Sequence, residues 1–199
     1  MNETSRDKLI DAAALLFLRQ SYQGTGVEDI LRATGLSKGS FYHFFPSKES
    51  LGEAVARRQQ DRVLARWTAS LQKENAHAPE RLALLLDGIA ARMEKTDFAA
   101  GCPLGTLAQE MAALSDPIRA ILADGMTHLE KLLERWLRDG QEQGDIPADL
   151  PADTLARGLW AAIQGALIMS KTRRSTAPLD DIRHFCAATL FSCNAARPD

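Results

Sequence analysis

The stretch from Gly26 to Pro46 leaves this chain few choices of local structure. It holds two short runs with apolar residues at three-four spacing, Val27–Thr34 and Lys38–Phe44, separated only by Gly35-Leu-Ser37. That spacing predicts two helices. Gly35 reads as the stop of the first, because glycine tolerates the left-handed backbone that closes a helix. Pro46 ends the second, since the residue before a proline is pushed out of helical geometry. Upstream, Thr4 and Ser5 can cap a helix carrying Leu9, Ala13, Leu16 and Phe17, which Tyr22-Gln-Gly-Thr-Gly26 interrupts. Two short helices joined by a tight turn form a helix-turn-helix in length and spacing. In such a unit the second helix lies in the DNA major groove and the first braces it.

Helical periodicity continues along the rest of the chain. Ser47 is a good cap for a fourth helix running towards Gln72. Pro79 to Phe98 carries Leu82, Leu85, Leu86, Ile89 and Met93 on one stripe. A break at Ala100-Gly-Cys-Pro-Leu-Gly105 precedes a short helix to about Leu114. Pro117 opens a long helix with Ile118, Ile121, Leu122, Leu129, Leu132, Leu133, Trp136 and Leu137, and Gly144 to Pro151 is a loop. Two last helices span about Ala152 to Lys171 and Leu179 to Cys193. With no strand pattern and no repeat, the expected fold is all-α. A three-helix DNA-binding domain is expected over residues 1–50, and a larger helical domain over 51–199.

Bulk properties narrow the function. The formal net charge of −2 argues against a polybasic protein that coats nucleic acid, so DNA contact must come from a local patch. No apolar signal core or membrane-length stretch is present, and the three cysteines, Cys102, Cys186 and Cys193, are widely spaced. A reducing, cytoplasmic setting without membrane contact is expected.

The local patch lies in the helix-turn-helix itself. Phe41, with Phe44 or Phe45, falls on one face and should pack against Leu16, Phe17, Ile30 and Leu31. Lys38, Gly39, Tyr42 and His43 fall towards the other side. Gly39 gives the backbone room to approach a duplex, and Ser37 and Ser40 offer hydroxyl donors. No Asp or Glu occurs from Ile30 to Lys48, whereas Arg32, Lys38 and Lys48 are basic. Phosphate affinity requires such a window. Ser47 and Lys48 also open the fourth helix, whose N-terminal amides suit a phosphate oxygen.

The run TGVEDILRATGLSKGSFYHFFPSKESL, Thr25 to Leu51, resembles the N-terminal signature of the TetR family of bacterial transcriptional repressors. The Gly-Leu-Ser-Lys-Gly turn, the Tyr-His-Phe-Phe block and the Ser-Lys-Glu-Ser-Leu opening carry the resemblance. It implies a two-fold dimer on double-stranded operator DNA, with Ser37, Lys38, Gly39, Ser40, Tyr42 and His43 along the groove. Tyr42 and Lys48 would mainly grip phosphates. Tyr42 could instead be a half-buried core aromatic, and His43 either a base contact or simply exposed. Gly26 departs from the family, where many members carry Ser or Thr, which leaves Thr25 as the expected phosphate ligand.

The resemblance also implies that the C-terminal region makes the dimer and holds an effector pocket. The last two helices, with Leu155, Leu159, Ile163, Leu167, Phe185, Ala188 and Leu190, suit a four-helix interface, or else build only the monomer core. Pocket candidates are Leu86, Ile89, Met93, Cys102, Leu107, Met111, Met126, Trp136, Trp160 and Gln164. Cys102 precedes a helix start, where a thiolate is stabilised. GCPLGTLAQE also resembles a motif of a TetR subgroup, some of whose members sense electrophiles or oxidants through a cysteine there. A packed structural thiol is the alternative, and Cys186 and Cys193 read as buried. The four histidines lack metal-ligand spacing, no cofactor motif occurs, and no nucleophile-base pair points to an enzyme. The expected function is an effector-responsive repressor of a palindromic operator. The alternatives are a helical ligand-binding protein that no longer binds DNA, or a repressor that senses electrophiles through Cys102.

Overall fold

The computed structural model describes residues 4–191, and among these every regular element is an α-helix. In chain order they are α1 (Ser5–Gln20), α2 (Val27–Thr34), α3 (Lys38–Phe44), α4 (Lys48–Leu71), α5 (Ala78–Lys95), α6 (Pro103–Met111), α7 (Asp116–Gln143), α8 (Ala152–Arg173) and α9 (Ala177–Thr189). Cys193 lies outside the described residues. The helices form two compact units. The first comprises the described residues up to Arg62 with Cys102–Met126, and the second comprises Val63–Gly101 with the described residues from Thr127 onward.

The first unit is built around α1. Leu9, Ile10, Ala13 and Phe17 are buried along it, and α2, α3 and α6 all pack on it. Thr4 caps α1 by accepting from the Asp7 N–H at 3.2 Å. Arg58 of α4 pairs with both Asp7 and Asp11 of α1, and Arg62 reaches Asp11 at 2.9 Å. The Thr4 hydroxyl and the Arg58 guanidinium hold the Asp7 carboxyl down at about 2, so this tie stays charged across the neutral range.

Helix α2 stops where expected. Gly35 takes a φ of 69° and donates its N–H to the Leu31 carbonyl at 2.9 Å. Ser37 caps α3, accepting from the Ser40 N–H at 3.1 Å. Ser47 and Ser50 exchange backbone and hydroxyl hydrogen bonds at 3.0 and 3.2 Å where α4 begins. Of the two phenylalanines that could follow Phe41 inward, Phe45 is the buried one and Phe44 is half-buried. Phe45 lies just past α3 with extended backbone (φ −135°), and its ring centroid is 6.1 Å from that of Phe41.

The second unit packs α5, α8 and α9 with the later turns of α4 and α7. Trp67 of α4 meets Trp160 of α8 edge to face at 5.5 Å. Trp136 is 1% exposed and donates its indole N–H to the Ala78 carbonyl at 3.2 Å. Asp145, in the loop after α7, accepts from the Ala78 N–H at 2.7 Å and so serves one of the open donors at the start of α5.

Thr25 corrects a sequence expectation. It is fully buried, and its hydroxyl donates to the Ser21 carbonyl at 2.7 Å, closing the turn between α1 and α2. A hydroxyl committed in this way is not offered to a phosphate. Thr25→Val keeps the shape but orphans the Ser21 acceptor, which costs about 1–2 kcal/mol. Thermal or denaturant unfolding should show that loss, while the salt dependence of DNA binding stays as in the wild type.

Candidate nucleic-acid interface

Seven residues make α3, too few for a helix to persist alone in water. Its geometry comes from Phe41, which is fully buried where α3 packs on α1 and α2. With Phe41 turned inward, helical geometry turns Gly39, Tyr42 and His43 outward, Lys38 stays in solvent as the first residue of the helix, and all four are exposed. Tyr42 is 49% exposed, its ring packed edge-on to Phe41 at 5.2 Å. About half of the side chain therefore stays in solvent while the ring still touches the core. His43 rests against Phe44 at 4.8 Å. Nothing but the Ser37 hydroxyl, at 3.8 Å, would meet a Cβ built on Gly39, so that stretch of helix is open to close approach.

The polar residues around α3 divide between structure and surface. The Ser37 oxygen serves as the helix cap, which leaves its O–H free to donate. Ser40 is half-buried. Arg32 pairs with Asp29 at 3.3 Å but keeps most of its side chain in solvent. Lys48 is half-buried, with its ammonium 4.2 Å from the centre of the Tyr22 ring. Burial pushes its pKa down, and the Glu110 carboxylate pushes it the other way.

Sequence reading gives neither Tyr22 nor Glu110 a part in this site. The Tyr22 N–H donates to the Glu110 carboxylate at 2.6 Å, between residues 88 apart in the chain. Local periodicity carries no signal for such a pair.

The pocket candidates fall in both units. Cys102, Leu107 and Met111 are buried and Met126 is half-buried in the first. Leu107 borders a void of only about 10 Å³ shared with Ala14, Phe17 and Val55, room for no more than a water. In the second unit Leu86, Met93, Trp136 and Trp160 are buried, and Ile89 and Gln164 are half-buried. Gln164 lies one turn beyond Trp160 on α8, and its Nε2 is buried without a hydrogen-bond partner. Cys102 caps α6, its Sγ accepting from the Gly105 N–H at 3.4 Å. Burial pushes the Cys186 thiol up to about 11.

A larger apolar groove, about 450 Å³, runs between α8 and α9 and is lined by Leu150, Leu155, Gly158, Phe185 and Leu190 among others. Ile168, Met169 and Phe185 are 53%, 41% and 62% exposed. Of the predicted stripe, Leu159, Ile163, Leu167 and Leu190 are buried in the monomer, Leu155 is half-buried, and Phe185 and Ala188 are exposed.

Comparison with known proteins agrees with this fold. Residues 9–55 match the family model for bacterial regulatory proteins of the tetR family, and residues 78–186 match the tetracyclin repressor-like C-terminal domain. The chain is 31% identical to the transcriptional regulator AcuR of Cereibacter sphaeroides, across 93% of this chain and 87% of that one. It is 34% identical to the transcriptional repressor DhaR of a Mycobacterium species, across 88% and 86%. Among solved structures, the TetR regulatory protein of Rhodobacter sphaeroides superposes with a TM-score of 0.88 at 27% identity, covering 94% and 98% of the two chains. The reduced form of Escherichia coli NemR gives 0.84 at 26% identity, covering 94% and 97%. The chain belongs to the TetR family, and with it to the DNA-binding transcriptional regulators rather than the enzymes.

Proposed function

We propose that this protein represses transcription in the cytoplasm as a homodimer on a palindromic operator and leaves the DNA when a small effector occupies its C-terminal region. The observation that carries the reading is the uncovered face of α3, with exposed Lys38, Gly39, Tyr42 and His43 in a window free of Asp and Glu. Ser37, Ser40 and His43 are the side chains suited to base edges, and Tyr42 and Lys48 to phosphates. A single α3 reads too short a site, so a two-fold pair must address successive major grooves.

The exposed apolar face of α8 and α9 supports the dimer. Gly158 and Gly165, seven apart on α8, have no atom within 4 Å of where a Cβ would stand, so a partner helix can approach closely there. Ile168, Met169 and Phe185 supply apolar area beside them. For the effector we favour the surroundings of Gln164, whose unpaired amide nitrogen suits an acceptor on an otherwise apolar molecule. Because α4 is one helix from Lys48 to Leu71, a displacement along it would move the DNA-binding unit and alter the spacing of the paired α3 helices. The effector must then bind the released conformation better than the DNA-bound one.

A second reading rests on the hydrogen bond from the Gly105 N–H to Cys102 Sγ, a contact that stabilises a thiolate. On that reading Cys102 is itself the effector site, and electrophiles are the signal.

Titrating the protein against the DNA upstream of its own gene tests the main reading. Specific binding should weaken with salt, and Tyr42→Ala and Lys48→Ala should each lower affinity about tenfold. Loss of the Lys48 phosphate contact in both protomers should also reduce the log–log salt slope by about 1.8. A folded wild-type protein with no specific shift would leave only a DNA-independent ligand-binding role. Sedimentation at micromolar concentration should give a dimer for the wild type and a monomer for Phe185→Asp. An unaltered Phe185→Asp dimer would place the interface elsewhere. On the second reading, alkylation should modify Cys102, spare Cys186 and abolish operator binding, and Cys102→Ser should be immune. An unreactive Cys102 in the folded protein would end that reading.

A further inference from the structure

Glu110 is an acid on α6 that none of the DNA-facing residues explains, yet it lies in the middle of a built cluster. Its carboxylate accepts from the Tyr22 N–H at 2.6 Å. The Tyr22 ring, 7% exposed, is enclosed by Phe17 at 4.9 Å and by the bare backbone of Gly52, where a Cβ would come within 2.9 Å of the ring. On that ring sits the Lys48 ammonium at 4.2 Å, one helical turn before Gly52. The Glu110 charge acts on Lys48 across this arrangement. Beside it, Glu49 accepts from the Ser115 hydroxyl at 2.6 Å, and Ser115 in turn caps the first turn of α7 by accepting from the Ile118 N–H at 3.3 Å. The turn before α2, the start of α4, α6 and the start of α7 therefore meet at one place.

We propose that Glu110 is a positioning residue for DNA binding: it fixes Tyr22 and holds Lys48 on the Tyr22 ring, so that an operator phosphate must draw the ammonium off this seat. The proposal deepens the DNA-binding reading above and rests on it for the role of Lys48. Two forces hold the seat, the attraction of a cation for an aromatic face and the charge of the Glu110 carboxylate. Both are lost when Lys48 turns to a phosphate, so the protein's affinity for DNA is lower than its cations alone would allow. Glu110 acts from α6, outside the helix-turn-helix. Any movement of α6 that takes the carboxylate away would change how readily Lys48 reaches DNA.

Glu110→Gln retains an acceptor for the Tyr22 N–H and removes only the charge. It should bind operator DNA about three- to tenfold more tightly than the wild type. In a Lys48→Met background the same change should alter affinity less than twofold. An equal gain in both backgrounds would mean general charge repulsion and overturn the proposal, as would no gain at all. A second readout needs no affinity measurement. In protein whose lysines carry ¹³C-methyl groups, the Lys48 signal should be shifted upfield by the Tyr22 ring. Tyr22→Leu should remove the shift, and operator DNA should remove it in the wild type. A Lys48 signal that keeps its shift in saturating, specifically bound DNA would sink the proposal. If the wild type binds no DNA, the DNA-binding reading fails instead. The free protein still tests the cluster, because Glu110→Gln should reduce the shift and an unchanged shift refutes the hold.

Discussion

The burial of Phe41 is the interaction on which the DNA-binding face depends. A seven-residue helix has no stability of its own, and α3 persists because one side chain is driven fully into the space beside α1 and α2. Burying a phenylalanine is worth about 1.5–3 kcal/mol, which offsets the ordering of about one or two residues, and the buried Phe45 and the Ser37 cap add to it. The same event decides orientation. Once Phe41 and the following Phe45 point inward, a period of 3.6 leaves Tyr42 and His43 nowhere to go but outward, while Lys38 stays in solvent because it opens the helix. The functional surface is the remainder of a packing problem, and its chemistry follows from which residues the core does not take.

The turn between α1 and α2 carries a comparable load in five residues. Ser21 enters it with a φ of 72°, and its carbonyl accepts the buried Thr25 hydroxyl, which locks the loop shut. Tyr22 is thereby presented with its ring against Gly52 and its N–H towards Glu110. Strain at Ser21, a buried hydroxyl and a glycine with no room for a side chain are each costly alone. Together they define one position for one aromatic ring, the ring on which Lys48 rests.

How far the sequence reveals this depends on chain distance. Helix boundaries were legible to within a few residues because glycine, proline and hydroxyl caps mark them. Gly35 donates back to Leu31, Ser37 and Ser47 cap their helices, and α5, α6 and α9 each carry a proline in the first turn. The outward face of α3 was legible for the same reason, being set by neighbours three and four residues away. Where Pro46 ends α3, helical periodicity no longer applies, and Phe44 and Phe45 could not be told apart. Thr25 misled because its burial is a tertiary fact. The link between Tyr22 and Glu110 spans 88 residues and has no local trace. Apolar stripes in the C-terminal region name core candidates but not lining, and Trp136 shows why. Its indole N–H is satisfied by Ala78, so a residue that looks like a recognition group belongs to the packing.

Charge sets the terms on which such a surface can be specific. Non-specific DNA affinity is almost wholly electrostatic and scales with the phosphates neutralised, whereas selection among sites depends on the ratio of specific to non-specific binding. A chain of net charge −2 has no net attraction for DNA at long range, so its cations act only where the backbone fit brings phosphates within a few ångströms. Lys48 is half-buried on an aromatic ring and feels the Glu110 charge, so it is less available to a poorly seated duplex than an extended surface lysine would be. A contact that forms only after close docking adds more to the specific complex than to the loose one. Discrimination can therefore rise even as total affinity falls.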